Sequence, residues 1–271
     1  MKNSNLIVRL FNNLKTKDNR DVVITFHNIM PDDFEWFENT INFIQQKFEI
    51  MAPKDIFSKK KKSQKRVLIT FDDGFKSNKK LEELILKPKK IKAIFFITTD
   101  FISLDESKAY DFVANNFYPK STNAFFLDET KKNHFLPMNW LDLTNLIKNG
   151  HTIGCHTKTH PILSNLTIEK QKKEILESKI LLEKKLNINI EHFAFPFGSP
   201  ESINTQTLAI MLKEFNYNFC NVRGMINKSK KDLLYRQNIS PAMPEWLIED
   251  IINGKLNWLH YKKRLKMNSL K

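Results

Sequence analysis

The stretch Val67-Leu68-Ile69-Thr70-Phe71-Asp72-Asp73-Gly74-Phe75 places the tightest limit on the fold. Its apolar, β-branched start makes a buried strand, and the strand stops abruptly in two carboxylates and a glycine. Adjacent carboxylates at a strand end repel, so one must shift its pKa or find a cation. Asp-Gly is also an ordinary turn signal, so the dipeptide alone leaves both readings open. Further strands are read over residues 22–29, closed by Met30-Pro31, and over 91–99, 151–154, 192–195, 217–222 and 235–240. Helical spacing fills the intervals. Phe34, Phe37, Ile41, Ile44 and Phe48 mark a helix over 32–48, and Ser77-Asn78 N-caps a short one that ends before Pro88. Gly150 stops a helix over 140–150. Ile168, Ile175, Ile180 and Leu182 lie among lysines on a long helix over 167–186. Two more helices cover 203–215 and begin at Pro244. Strands alternating with helices make an α/β chain of βαβ units around a parallel sheet, closed as a (β/α) barrel.

The 271 residues fit one large domain over 22–271, behind a basic arm over 1–21, with no internal repeat or linker. Residues 101–138 lack clean periodicity but are too apolar for disorder, and read as an insertion capping one face. A net charge of +14 predicts an anionic partner. The lysines are scattered over many helices without a nucleic-acid motif, which argues against nucleic acid. The basic run over 59–66 reads as a solvated loop. Cys155 and Cys220 are too few for a disulfide framework and read as buried thiols in a reducing compartment. No run approaches the ~18 apolar residues of a membrane span. Leu6-Ile7-Val8 is cut by Arg9 before signal-peptide length. The expectation is a cytoplasmic protein. Leu6, Leu10 and Leu14 would put one apolar face on a helix over 5–15, either packed on its own domain or lying peripherally on the anionic inner membrane face.

Barrels of this type collect active groups at the C-terminal ends of their strands. Four polar stretches fall there: His27, Asp72-Asp73, residues 156–160 and Pro196-Phe197-Gly198. His156 and His160 are four apart, but Gly154 precedes them and Pro161 follows, so a tight turn fits better than a helix. Two imidazoles and one of the carboxylates make a three-ligand site for a divalent metal, with positions left open, and the other carboxylate is free to act as a base. Such a set suits zinc, and also accepts Co, Ni, Mn or Fe. The reading is a metal-dependent hydrolase. Cys155 should point away from the metal, because neighbours on an extended segment face opposite sides. His134, His151 and His192 read as structural.

These residues carry a family resemblance. Thr70-Phe71-Asp72-Asp73-Gly74-Phe75 resembles the first motif of the polysaccharide deacetylases, the NodB-homology carbohydrate esterases. His156-Thr157-Lys158-Thr159-His160-Pro161 resembles the second. Phe193-Ala194-Phe195-Pro196-Phe197-Gly198 resembles the third, in the form where alanine stands for arginine. The likeness runs from about Val22 to Ser240, and is nearest to the subgroup with an N-terminal histidine, typified by biofilm poly-N-acetylglucosamine deacetylases. It implies a distorted (β/α) barrel and removal of N-acetyl groups from sugars. By position, Asp73, His156 and His160 would bind the metal, and a water activated there would attack with Asp72 as base. Pro196, Phe197 and Gly198 would line the substrate, with the Phe197 N–H on the oxyanion. Arg236 would replace the missing arginine as the partner that orients Asp72. His27, rather than the late His260, would protonate the leaving amine. With no secretion signal, the expected substrate is an N-acetylhexosamine-containing glycan or a lipid- or nucleotide-linked sugar. An O-acetyl esterase or deformylase would use the same site. The alternative of another class is a basic nucleic-acid- or membrane-binding protein on a barrel scaffold.

Overall fold

In the computed structural model, residues 20–58, 64–118, 129–227 and 232–270 are described. The expected strands become β1 (Val22–Phe26), β3 (Arg66–Phe71), β4 (Ile94–Ile97), β5 (Thr152–Cys155), β6 (His192–Ala194), β7 (Tyr217–Cys220) and β8 (Leu234–Asn238), and β2 (Glu49–Ile50) is a further short strand outside the expected stretches. All pair in parallel. Seven of them close a barrel in the order β1-β3-β4-β5-β6-β7-β8, and β8 returns to β1. The short β2 pairs with the first two residues of β3, below the point where β4 joins. Since every strand runs the same way, all the strand C-termini open on one face. No helix among the described residues is long and apolar enough to cross a membrane.

Strand side chains alternate between faces, and here the alternation sorts the core. Val23, Leu68, Ile94, Phe96, Ala194, Phe219 and Leu234 belong to one buried cluster. Val22, Ile24, Val67, Ile69, Phe95 and Phe193, of the opposite parity, pack with the surrounding helices in another. Two residues further along the first set, the chain reaches Thr25, Thr70 and Arg236, and then the cavity residues His27, Asp72, Asn221 and Asn238. The same step on β5 leads from Gly154 to His156. A Cβ on Gly154 would lie 2.4 Å from Phe96 Cδ1, so the barrel closes there only on a glycine.

Several local expectations are revised. The helix after Gly74 begins at Lys76 with Phe75 as N-cap and no side-chain cap, so Ser77-Asn78 is not the cap. Ser77 Oγ instead donates to Asn28 Oδ1 at 2.6 Å, a tertiary bond that takes the hydroxyl away from the helix end. The helix over 167–186 contains a π turn at Lys173–Glu177 that breaks its register. Ile175 and Leu182 are buried, whereas Ile168 and Ile180 are exposed. The run over 59–66 is not wholly a solvated loop. Residues 59–63 lie outside the described residues, but Lys65 and Arg66 are buried, and Arg66 pairs with Asp21 at 2.7 Å. Of the arm over 1–21, including the helix expected over 5–15, only Arg20 and Asp21 are described.

Residues 101–138, apart from 119–128, form short helices around Phe75, Phe101, Val113, Phe117 and Phe135. Lys76 N–H donates to the Leu136 carbonyl and Met138 N–H to the Gly74 carbonyl, each at 2.8 Å. The insertion is thereby fastened to the loop that carries the two aspartates.

Candidate active site

Asp72 and Asp73 leave the end of β3 in different directions because the backbone turns sharply between them. Asp73 has φ 76° and Gly74 φ 98°. Asp72 stays on the inward register, where Arg236 from β8 holds it with Nη1 at 2.6 Å from Oδ1 and Nη2 at 2.8 Å from Oδ2. Arg236 is itself buried, bonded also to Thr25 Oγ1, with its guanidinium 5.4 Å from the Phe96 ring centroid. Burial pushes the Asp72 carboxyl up, but the Arg236 charge and hydrogen bonds outweigh it and hold the group well below the carboxylate range. His27, at the end of β1, is one-third exposed, with Nε2 3.7 Å from Asp72 Oδ2. Burial lowers its pKa against the raising pull of Asp72.

Asp73 has no such partner. Its Oδ1 is buried without a hydrogen bond, 3.5 Å from His156 Nε2 and 3.7 Å from His160 Nε2. Burial, then the neighbouring Asp72 charge, raises its pKa well above the usual value. Both imidazoles are held from behind. His156 Nδ1 lies 2.7 Å from the Ala194 carbonyl and His160 Nδ1 3.1 Å from the Asn116 carbonyl. A carbonyl accepts only, so each Nδ1 carries the proton and each Nε2 turns a lone pair toward Asp73. Burial lowers His156 to about 4 and His160 well below its usual value, which keeps both rings in the neutral form that a ligand needs. The three ligand atoms lie within 4.8 Å of one another. An orphaned carboxylate oxygen facing two imidazole lone pairs fits a divalent cation.

The tight turn over 156–160 has its own support. Glu174 accepts from Thr159 N–H and Oγ1 at 2.8 Å and from Lys158 N–H at 3.1 Å, and Thr157 Oγ1 accepts from His160 N–H. Thr157 and His160 take positive φ, 68° and 63°. The His160 ring sits between Phe117 and Phe197, with centroids 4.8 and 4.7 Å away. Cys155 faces the other way, into the outer core, with Sγ 3.2 Å from Ser178 Oγ.

The carboxylates and histidines line one cavity of about 370 Å³. Arg236 and Phe197 border it, whereas Pro196 and Gly198 shape the turn behind Phe197. Gly198, at φ 58°, would place a Cβ 2.4 Å from the Asn221 amide. Phe117, Tyr118, Asn221 and Asn238 also line the cavity, and none was singled out by sequence. The strand register could have pointed to Asn221 and Asn238. Nothing local marked Phe117, Tyr118, the Asn116 carbonyl or Glu174. His134, His151, His192 and His260 lie away from the cavity lining.

The sequence profile of the polysaccharide deacetylases matches residues 59–219, more than half of the chain. The chain belongs to the polysaccharide deacetylase family. Membership indicates a hydrolase acting on acetylated polysaccharide. Solved structures share its fold. The Streptococcus pyogenes deacetylase PplD, in complex with acetate, is 18% identical with a TM-score of 0.66, over 88% of this chain and 99% of that one. IcaB from Ammonifex degensii is also 18% identical, with a TM-score of 0.65 over 89% and 97%. A de-N-acetylase from Aggregatibacter actinomycetemcomitans is 14% identical, with a TM-score of 0.66 over 86% and 99%. No curated protein matches the sequence. The barrel is therefore of the NodB-homology type.

Proposed function

We propose that this deacetylase is a metal-dependent N-deacetylase of an N-acetylhexosamine-containing glycan or of a lipid- or nucleotide-linked sugar. The observation that carries the reading is Asp73 Oδ1, buried and unbonded, opposite two imidazole nitrogens with their lone pairs turned to it. Asp73, His156 and His160 would hold the ion, zinc first by ligand type, with Co, Ni, Mn or Fe compatible. When bound, the ion supplies Lewis acidity to the acyl carbonyl and to the attacking water.

The chain's own groups do the rest. Asp72 accepts the proton of that water. Arg236 keeps Asp72 ionised at neutral pH and fixes both oxygens, so the base has one orientation. A carboxylate stabilised this strongly is a weak base, and it would suffice once the bound ion had lowered the pKa of the water. From Asp72 Oδ2 the proton has 3.7 Å to travel to His27 Nε2, which stands at the open side of the cavity and delivers it to the departing amine. The C–N bond breaks as nitrogen gains that proton, and acetate and the free amino sugar remain. By analogy with the family, the Phe197 N–H would donate to the developing oxyanion.

The test is metal content together with acetate release from N-acetylglucosamine oligomers, a UDP-linked N-acetyl sugar and an O-acetylated sugar. Asp73→Ala should lose both metal and activity. Asp72→Asn should keep metal and lose activity. Failure to bind metal after incubation with zinc or cobalt would overturn the reading, and release from the O-acetylated sugar alone would replace it with an esterase.

A further inference from the structure

The connection from β7 to β8 contains no helix among its described residues, and the C-terminal segment covers that flank of the barrel. It comprises a 3-10 turn, Asn257–His260, and the helix Tyr261–Asn268. Its inward face is polar and specific. Arg223 N–H donates to His260 Nδ1 at 3.0 Å, Arg264 Nη1 donates to the Arg223 carbonyl at 2.8 Å, and Met267 is fully buried.

The outward face is different. Trp258, Leu259, Tyr261 and Leu265 are 53, 54, 58 and 51% exposed, four of the ten large apolar residues exposed among those described. The other six are spread over the rest of the chain. Isolated exposed apolar residues are ordinary, but a cluster of them rimmed by charge marks a contact surface. Trp258, Tyr261 and Leu265 follow one another at three- and four-residue steps. Lys262, Lys263 and Lys266 run beside them, all three exposed, with Lys266 Nζ 3.3 Å from the exposed Glu201 carboxylate. From Tyr261 to Lys271 there are five Lys and Arg residues and no acid.

We propose that this face, Trp258 to Lys266, docks on an anionic lipid surface. Indole and phenol rings with leucines enter the headgroup region, while lysines beside them meet lipid phosphates. Protein interfaces are depleted in lysine, and a nucleic-acid backbone offers no apolar layer for Leu259 and Leu265. An anionic bilayer satisfies both halves of the surface. The inference is independent of the proposed hydrolysis, since neither stripe touches the cavity.

The experiment is cosedimentation of the full chain with vesicles of phosphatidylcholine alone, or of equal parts phosphatidylcholine and phosphatidylglycerol. A labelled DNA duplex at the same salt is measured in parallel. The native protein should bind only the anionic vesicles, with a blue shift in tryptophan emission. K262Q/K263Q/K266Q should weaken binding by about 100-fold, at about fivefold per lysine. W258S/Y261S/L265S should remove the blue shift and weaken binding on its own. Both variants should keep native melting behaviour and native acetate release from soluble oligomers, so that a failed docking face and a failed hydrolase read out separately. Vesicle binding untouched by both variants, no vesicle binding by the native protein, or tighter binding to the duplex would each overturn the proposal.

Discussion

Arg236→Met should be among the most damaging single changes in this chain, for an electrostatic reason that can be measured. The guanidinium is 1% exposed and spans both oxygens of Asp72, which is 2% exposed. Methionine fills much of the same space but leaves a buried carboxylate beside a second one at Asp73. Removing one partner of a buried pair costs about 3–5 kcal/mol, because it leaves an uncompensated buried charge. In a domain of this size that corresponds to a fall in Tm of roughly 6–20 °C. The assay is urea unfolding of the metal-free protein at neutral pH, followed by circular dichroism and fluorescence together. Asp72 has a depressed folded-state pKa, so its contribution is fully present above the unfolded value near 4 and is lost as pH falls below it. Neutral pH therefore reads the whole effect. The double variant Arg236→Met/Asp72→Asn should recover stability relative to Arg236→Met, with a coupling of about 2 kcal/mol or more across the cycle. A loss under about 1 kcal/mol, or a coupling within about 0.5 kcal/mol of zero, would refute the argument that Arg236 acts through the Asp72 charge. Arg236→Lys keeps the charge but not the two-pronged geometry. It should retain more stability than Arg236→Met while still losing activity.

Asp73→Asn should stabilise the metal-free protein by about 1–3 kcal/mol at neutral pH, since it removes an unpartnered buried charge. Zinc should raise the Tm of the native protein and leave the variant unchanged. Phe117→Ala removes a ring from His160 and loosens the turn whose Asn116 carbonyl holds His160 Nδ1. Cobalt titration should show affinity reduced by about 10–100-fold, with circular dichroism unchanged. His151 and His192 are both lowered to about 4, chiefly by burial. The unfolded chain takes up these protons first, so stability should fall as pH drops from about 6.5 toward 4, by up to about 2–3 kcal/mol per pH unit for the pair. His192→Gln should lower the slope by up to about 1.4 kcal/mol per pH unit, read by urea unfolding across that range.

Residue chemistry and strand period made much of this molecule legible in advance. Each barrel strand was placed from the sequence, most of them as apolar runs, and the two aspartates, the histidine pair and His27 each sit just beyond the end of one. Arg236 was harder to read, because an arginine in Leu-Tyr-Arg-Gln-Asn looks the same on a surface as in a barrel. The π turn at Lys173–Glu177 was invisible, as was the bond that takes Ser77 to Asn28, since both are settled by neighbours distant in sequence. Residues 101–138 showed no periodicity because their short helices bury side chains around a shared aromatic cluster rather than along one stripe.

By itself the sequence determined the parallel α/β barrel and the kinds of side chain at its C-terminal rim, since alternation, helical spacing and ligand chemistry are properties of a few residues at a time. Only the tertiary structure decided that Asp72 is the charge-paired carboxylate and Asp73 the unpaired one. That difference comes from Arg236, 164 positions away, reaching across the barrel to the first aspartate while a positive φ turns the second toward two imidazoles. Carbonyls of Ala194 and Asn116 then orient those rings, and such long-range contacts exist only once the barrel has closed.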